Sequence, residues 1–287
     1  MIARLCIIGV GLIGGSLARA LREAGYCREI VGCGRDPDHL QQAVDLGVID
    51  RYSTDPAQAV AGADMVLVAV PLGAMETVFR AVRDHLDSGA VLTDAGSAKV
   101  SVIEAARRAF GRVPDFFVPG HPIAGTENSG VAASFSTLYR ERRVILTPLE
   151  NTAGEALERV WAMWEAAGAV VVRMDAQHHD TVLAATSHLP HVLAFTLVDS
   201  LARLVDHGEA FEFVAGGFRD FTRIASSDPV MWRDICLANG DAICRMIGRY
   251  IEDLQSLNRA VREQDAQRLL EVFTAAKQAR DRFASEQ

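Results

Sequence analysis

The chain reads as an α/β protein, a doubly wound parallel sheet followed by an all-α domain, and three observations predict this. Up to about residue 174, short apolar strands alternate with amphipathic helices, the pattern of a parallel sheet covered on both faces. The first strand runs into a glycine turn that opens a helix, CIIGVGLIGGS over Cys6–Ser16. After Met174 no β-like run recurs, and long helical periodicities take over.

The expected strands, in order, are Arg4–Val10, Glu29–Gly34, Asp64–Val70, Val91–Asp94, Phe116–Pro119, Arg143–Thr147 and Val170–Met174. Helical patterns lie between them at Asp38–Leu46, Met75–Leu86, Val100–Phe110 and Ala153–Ala167. Later helices are expected at about Gln177–Val205, Phe211–Val214, Pro229–Leu254 and Asp265–Phe283. This divides the chain into a dinucleotide-binding domain, 1–174, and a helical substrate-binding and dimerisation domain, 175–287. Leu254, Leu257 and Val261, then Leu269, Leu270, Val272 and Phe273, recur at helical spacing. Such apolar faces suggest a homodimer, the alternative being a monomer with a small helical cap.

Composition narrows the function. The 287 residues are 49% hydrophobic and 23% charged, with a net charge of −8, as in an ordinary globular protein. The acidic balance argues against a nucleic-acid surface and for a small-molecule enzyme whose positive charge is local. No run of 18 apolar residues is present, so no membrane span is expected. Five cysteines, odd in number and without a C-x-x-C pair, suit reduced thiols in a cytoplasm.

Gly9, Gly11 and Gly14 stand in G-x-G-x-x-G spacing, with Leu12 and Ile13 inside the turn. The first glycine permits the turn, the second lets backbone approach a pyrophosphate, and the third lets helix and strand pack closely. The helix N-terminus then offers free N–H groups to the phosphates. A strand before and a helix after make this a Rossmann-type dinucleotide site rather than a bare glycine turn. Ligands on such sheets bind beyond the C-terminal strand ends, which directs attention to Val70-Pro71, to Asp94–Lys99 and to Gly120 onward. At the end of the second strand, NAD sites place an acid for the ribose hydroxyl, but here stand Gly34 and Arg35. Room and a cation favour NADP. NAD stays open, because Asp36 lies two residues on, although Pro37 holds it extended and directs it towards capping the next helix. Ser97, in DAGSAK, lies where the nicotinamide end would be, or caps the following helix. His121, leaving a strand in GHPIAGTENSG, suits a general base near neutral pH.

The set GVGLIGGS, DAGSAK, HPIAGTENSG, ATSHLPH and GGFRDFTRIASSDPVMWRDI resembles the prephenate dehydrogenase family, which includes arogenate and cyclohexadienyl dehydrogenases of tyrosine biosynthesis. The resemblance runs from about residue 5 to 275. It implies oxidative decarboxylation of a cyclohexadienol carrying a ring carboxylate, with hydride transfer to NAD(P)⁺. By position, His121 would take the ring hydroxyl proton, and Ser97 would hydrogen-bond the same hydroxyl. His188 would line the substrate pocket, and Arg223 would pair with a substrate carboxylate. Thr126 and Glu127 would border the substrate entrance, with Arg219 and Asp220 just behind the site. Neither a chorismate mutase domain before the glycine turn nor a regulatory domain after the helices is expected, and no metal is required.

Read without the family, Arg219 and Arg223 are four apart, on one helical face if that stretch is helical. An arginine fork suits a carboxylate; the alternative is an ion pair with Asp220 or Asp228. His188 and His191 nearly share a face, but Pro190 disturbs the turn and no third metal ligand is evident. His178 and His179 read as a solvated helix start. Two rivals remain. One is a nucleotide-binding sensor without catalysis. The other is a β-hydroxyacid dehydrogenase, whose family uses a lysine in the helical domain; residues 175–276 contain none.

Overall fold

A computed structural model describes residues 1–204 and 213–285. Six parallel strands form the main sheet: β1 (Ile2–Ile8), β2 (Cys27–Cys33), β3 (Arg51–Ser53), β4 (Met65–Val68), β5 (Val91–Asp94) and β6 (Phe117–Val118). Their spatial order is β3-β2-β1-β4-β5-β6, so the winding reverses between β1 and β4 and opens a crevice at their C-terminal ends. The three-residue β3 is too short to register as a periodicity, and it adds a strand to those expected.

Alternation explains the near-continuous apolar strands. β1 sends Leu5 and Ile7 into one core and Cys6 and Ile8 into the other; β4 divides Met65 and Leu67 from Val66 and Val68 in the same way. Helices α1 (Leu12–Glu23), α2 (Pro37–Asp45), α3 (Pro56–Val60), α4 (Met75–Val82), α5 (Lys99–Phe110) and α6 (Gly154–Ala166) cover the two faces. Leu17 and Leu21 of α1 fill the first core, and Phe79 of α4 with Val102 of α5 fills the second.

The last two expected strands do not extend this sheet. They are β8 (Arg143–Leu146) and β9 (Val170–Arg173), and they join a short β7 (Gly120–Pro122) in a second sheet. β7 runs antiparallel to β8, with His121 opposite Ile145, and β9 runs parallel to β8. The chain leaves β6 through Pro119, which lacks an N–H to continue the ladder, and the Pro119 carbonyl instead accepts the Thr147 amide.

Beyond Met174 the chain is helical. α7 (Ala176–Leu183) passes through one π turn, Ala184–His188, into α8 (Leu189–Leu204). Then come α9 (Gly216–Thr222), a tight turn Arg223–Ser226, α10 (Pro229–Ala238), α11 (Gly240–Arg262) and α12 (Ala266–Ser285). The helix expected over Pro229–Leu254 is thus two, broken at Asn239. Of the pattern at Phe211–Val214, Phe211 lies outside the described residues, as does Val205, and Phe213 sits in a turn. By packing, the described chain falls into two units, Met1–Gly240 and Asp241–Gln287.

The run Ala176–Arg203 is long and apolar enough, by length and a mean hydropathy of 1.4, to cross a membrane. That differs from the expectation of no such segment, because a mean hydropathy tolerates polar residues that interrupt an apolar run. Three of them, His179, Asp180 and His188, are buried.

Candidate active site

The glycine turn has the shape its spacing predicts. Gly9 has φ +100°, and a Cβ there would lie 2.3 Å from the Ala69 carbonyl oxygen and 3.1 Å from Val70. A Cβ at Gly14 would lie 2.3 Å from the Gly9 oxygen, so the helix can lie this close to the turn only without a side chain. Gly11 is the opposite case, for a Cβ there meets nothing. Gly11 also starts α1 without a side-chain cap, and no acid sits in the first turn. The open amides around Leu12 and Ile13 therefore face a space suited to phosphate oxygens. Val70 is half-buried and Pro71 exposed at the end of β4. A dinucleotide fits this cradle.

At the end of β2, Asp36 is extended (φ −102°, ψ 110°) and caps α2, accepting from the Asp38 and His39 amides at 3.0 and 3.3 Å. One carboxylate oxygen, Oδ1, takes both bonds, the cap that the Asp36-Pro37 pair predicts. Gly34 and exposed Arg35 precede it, and His39 Nε2 binds the Val10 carbonyl at 2.9 Å.

The DAGSAK turn follows β5. Ser97 does not cap α5: the helix begins after Ala98, which makes no side-chain cap bond. Asp180 supplies the cap from α7, accepting the Lys99 and Val100 amides at 2.7 and 3.0 Å. The Ser97 hydroxyl is thus not spent on the helix start.

His121 is buried in β7, and its Nδ1 lies 2.9 Å from His179 Nε2. His179 Nδ1 in turn lies 2.7 Å from Asp180 Oδ1. The proton positions follow in order. An ionised carboxylate only accepts, so His179 carries its proton on Nδ1 and offers Nε2 as an acceptor. His121 must then donate from Nδ1, which leaves its Nε2 as a lone pair, the form a general base requires. Burial pushes the His121 pKa well below its usual value, helped by His179, Lys99 and His188. Burial also lowers His179 against the pull of Asp180. Burial alone would raise the Asp180 pKa, yet the His179 bond and the two α5 amides hold it below the usual carboxylate value.

His188 closes the π turn, a feature common at functional sites, and is buried. Its Nδ1 lies 3.1 Å from Asn239 Nδ2, which also donates to the Asp180 carbonyl at 2.8 Å. Its Nε2 is buried without a hydrogen-bond partner, and burial lowers its pKa to about 4. His188 and His191 meet the same ring: His191 stacks on Trp232 at 3.7 Å, and His188 meets it edge-on at 6.2 Å.

Arg223 pairs with neither Asp220 nor Asp228. Its Nη1 meets Glu127 Oε2 at 2.8 Å, which joins two of the expected substrate residues from segments 96 positions apart. Both groups are substantially exposed, so the pair is weak and open to exchange for a ligand carboxylate. Thr126 is exposed beside it, its hydroxyl accepting the Asn128 amide at 3.2 Å. Arg219, on α9, is exposed as well.

The nucleotide-binding domain of prephenate dehydrogenase matches residues 17–173, and the prephenate dehydrogenase dimerization domain matches residues 175–275. The chain belongs to the prephenate dehydrogenase family. It is 39% identical over 283 residues to a cyclohexadienyl dehydrogenase of Zymomonas mobilis, covering 96% of this chain and 94% of that one. It is 34% identical to a prephenate dehydrogenase of Bacillus subtilis, covering 96% and 75%. A crystal structure of prephenate dehydrogenase from A. aeolicus, in complex with hydroxyphenyl propionate and NAD⁺, superposes with a TM-score of 0.92 at 36% identity, covering 99% of each chain. Relatives that are dehydrogenases over the whole chain disfavour both a catalytically silent sensor and a β-hydroxyacid dehydrogenase.

Four residues of this candidate site were not legible as such beforehand: His179, Asp180, Lys99 and Asn239. His178 is exposed, as a solvated helix start requires, but His179 has no exposed surface. The available signal was spacing, since His179 lies four residues before buried Leu183, on the same helical face.

Proposed function

We propose that this protein oxidatively decarboxylates prephenate, arogenate or both, passing a hydride to NAD(P)⁺ and releasing carbon dioxide. The observation that carries the reading is the His121–His179–Asp180 chain, which leaves one imidazole lone pair free over a dinucleotide crevice. His121 Nε2 accepts the ring hydroxyl proton as that carbon loses its hydride. Asp180, acting through His179, steadies the positive charge that then develops. The ring carboxylate leaves as carbon dioxide from the opposite carbon, and its bonding electrons aromatise the ring. His121 returns its proton to the same oxygen. Ser97 would orient the hydroxyl and His188 would line the ring's pocket. Arg223, released from Glu127, would hold a carboxylate, with Thr126 and Arg219 at the rim. The nicotinamide cofactor would supply the hydride acceptor, held by Gly9, Gly11, Leu12, Ile13 and Gly14 and by Val70 and Pro71.

For the cofactor we propose NADP. Asp36 spends Oδ1 on the cap of α2, and Gly34 and Arg35 leave room and charge for a 2′-phosphate. The test is kcat/KM for prephenate and for arogenate, each with NADP⁺ and NAD⁺, followed at the reduced-nicotinamide band. NADP⁺ should serve at least as well as NAD⁺. Gly34→Asp, whose Cβ would meet only the Leu40 side chain at 3.4 Å, should reverse the preference. A wild-type preference for NAD⁺ of about 100-fold, or 2.7 kcal/mol, would overturn the assignment. An absence of turnover with both substrates would overturn the activity.

We also propose that the chain from residue 175 on forms the substrate-binding and dimerising half. Ile251, Leu254, Val261, Leu270 and Phe273 are exposed along α11 and α12, an apolar stripe that a second copy would cover. All five cysteines are free, which suits the cytoplasm.

A further inference from the structure

Lys99 is fully buried, and burial pushes its ammonium pKa down against the pull of Asp94 and Asp180. A buried ion pair is weak evidence for stability, because apolar side chains of similar volume often pack as well. Its geometry is more informative. Lys99 Nζ donates to Asp94 Oδ2 at 2.6 Å and to the Gly120 carbonyl at 2.5 Å. Asp94 Oδ1 accepts the Gly120 amide at 3.1 Å. One ion pair therefore holds both backbone groups of the residue before His121. The same pair closes the turn that carries Ser97, since Asp94 Oδ2 also accepts the Gly96 amide at 2.7 Å. Gly120 leaves little slack, for a Cβ there would lie 3.1 Å from both the Asp94 carbonyl oxygen and Leu146.

We propose that Lys99 is a positioning residue for this reaction. Paired with Asp94, it locks Gly120 to the Ser97 turn and so fixes His121 relative to Ser97. The inference rests on the reading of His121 as the base. The groups that bear on the His121 charge are His179 and His188 from the helical segment and Lys99 from α5, with Asp180 behind His179. Loss of Lys99 should therefore free the strand and remove one positive neighbour.

The test is the double variant Asp94→Asn/Lys99→Met in the full chain, which leaves no lone buried charge. Melting temperature, NADP⁺ affinity, kcat and KM for prephenate and an NMR titration of the His121 ring are measured together. The expected result is a folded protein that binds NADP⁺ within about threefold of the unmodified chain. Its kcat should fall by about 100-fold, the scale of a 1 Å misplacement, with KM little changed. The His121 titration should move to higher pH. A folded variant with unchanged kcat and unchanged titration would overturn the proposal and leave the pair as core packing. Should the double variant fail to fold, Gly120→Ala presses on the same junction with both charges in place. Reduced kcat there supports the positioning role, and normal kcat overturns it. If the unmodified protein turns over neither substrate, the functional reading falls, and the His121 titration alone decides whether Lys99 acts on that ring.

Discussion

The role proposed for His121 turns on which nitrogen carries the proton, and a residue 59 positions away decides it. Asp180 fixes His179, and His179 fixes His121. His121→Asn should therefore lower kcat by about 10²–10⁴ with little change in KM, measured by steady-state oxidation of prephenate. In the unmodified enzyme the acidic limb of kcat should fall below pH 6.5, because burial holds the ring neutral there. A limb at or above that value would remove His121 as the group that titrates. The HPIAGTE motif and a place at a strand end over a nucleotide crevice singled out His121 from sequence, although a lone histidine is more often structural. His179 was not singled out, because its helical spacing to Leu183 is matched by that of His178 to Val182, which leaves open which of the two turns inward. Only the docking of α7 against the start of α5 settles that. Arg223 was legible as a cation near the site, but its partner Glu127 sits in a distant loop.

At the scale of elements, the strand–turn–helix order from β1 into α1 was legible, with the strand two residues earlier than expected. Its constraints are local: Gly9 and Gly14 answer to atoms within a few residues or just past the neighbouring strand, and Gly11 answers to none. Gly9 and Gly11 make a matched pair for testing this. Gly9→Ala forces a positive φ on a residue with a Cβ and drives that Cβ into the Ala69 carbonyl, costing about 1–3 kcal/mol from backbone strain alone. Its denaturant midpoint should fall. Gly11→Ala meets no atom of the protein, so its midpoint should hold while NADP⁺ affinity drops. Equal midpoints in the two variants would mean the turn relaxes more than its contacts allow. The second sheet was hidden for the opposite reason. β7 is three residues with a glycine and a proline in it, a composition that reads as loop, and only its pairing with β8 makes it a strand.

For the molecule as a whole, burying histidines has a thermodynamic consequence. His121, His179 and His188 all have pKa values lowered by burial. The unfolded chain then binds the proton first, so stability is full above about pH 6.5 and falls as pH drops towards the folded values. For His188, with a folded value of about 4, the loss by that pH is about 3 kcal/mol. Melting temperature should decline steadily between pH 6.5 and 4, and His188→Gln should flatten that decline. An equally steep decline in the variant would assign the acid sensitivity elsewhere.

Many enzymes hold their catalytic groups in arrangements that cost stability, so that activity can be exchanged for robustness by substitution. Asp180 closes that exchange at this site. One carboxylate is both the N-terminal cap of α5 and the anchor of the proposed proton relay. A change at Asp180 that loosens the proposed relay also uncaps the helix, and one there that replaces the cap breaks the relay. Selection for a sturdier fold and selection for a faster enzyme therefore pull on this residue in the same direction.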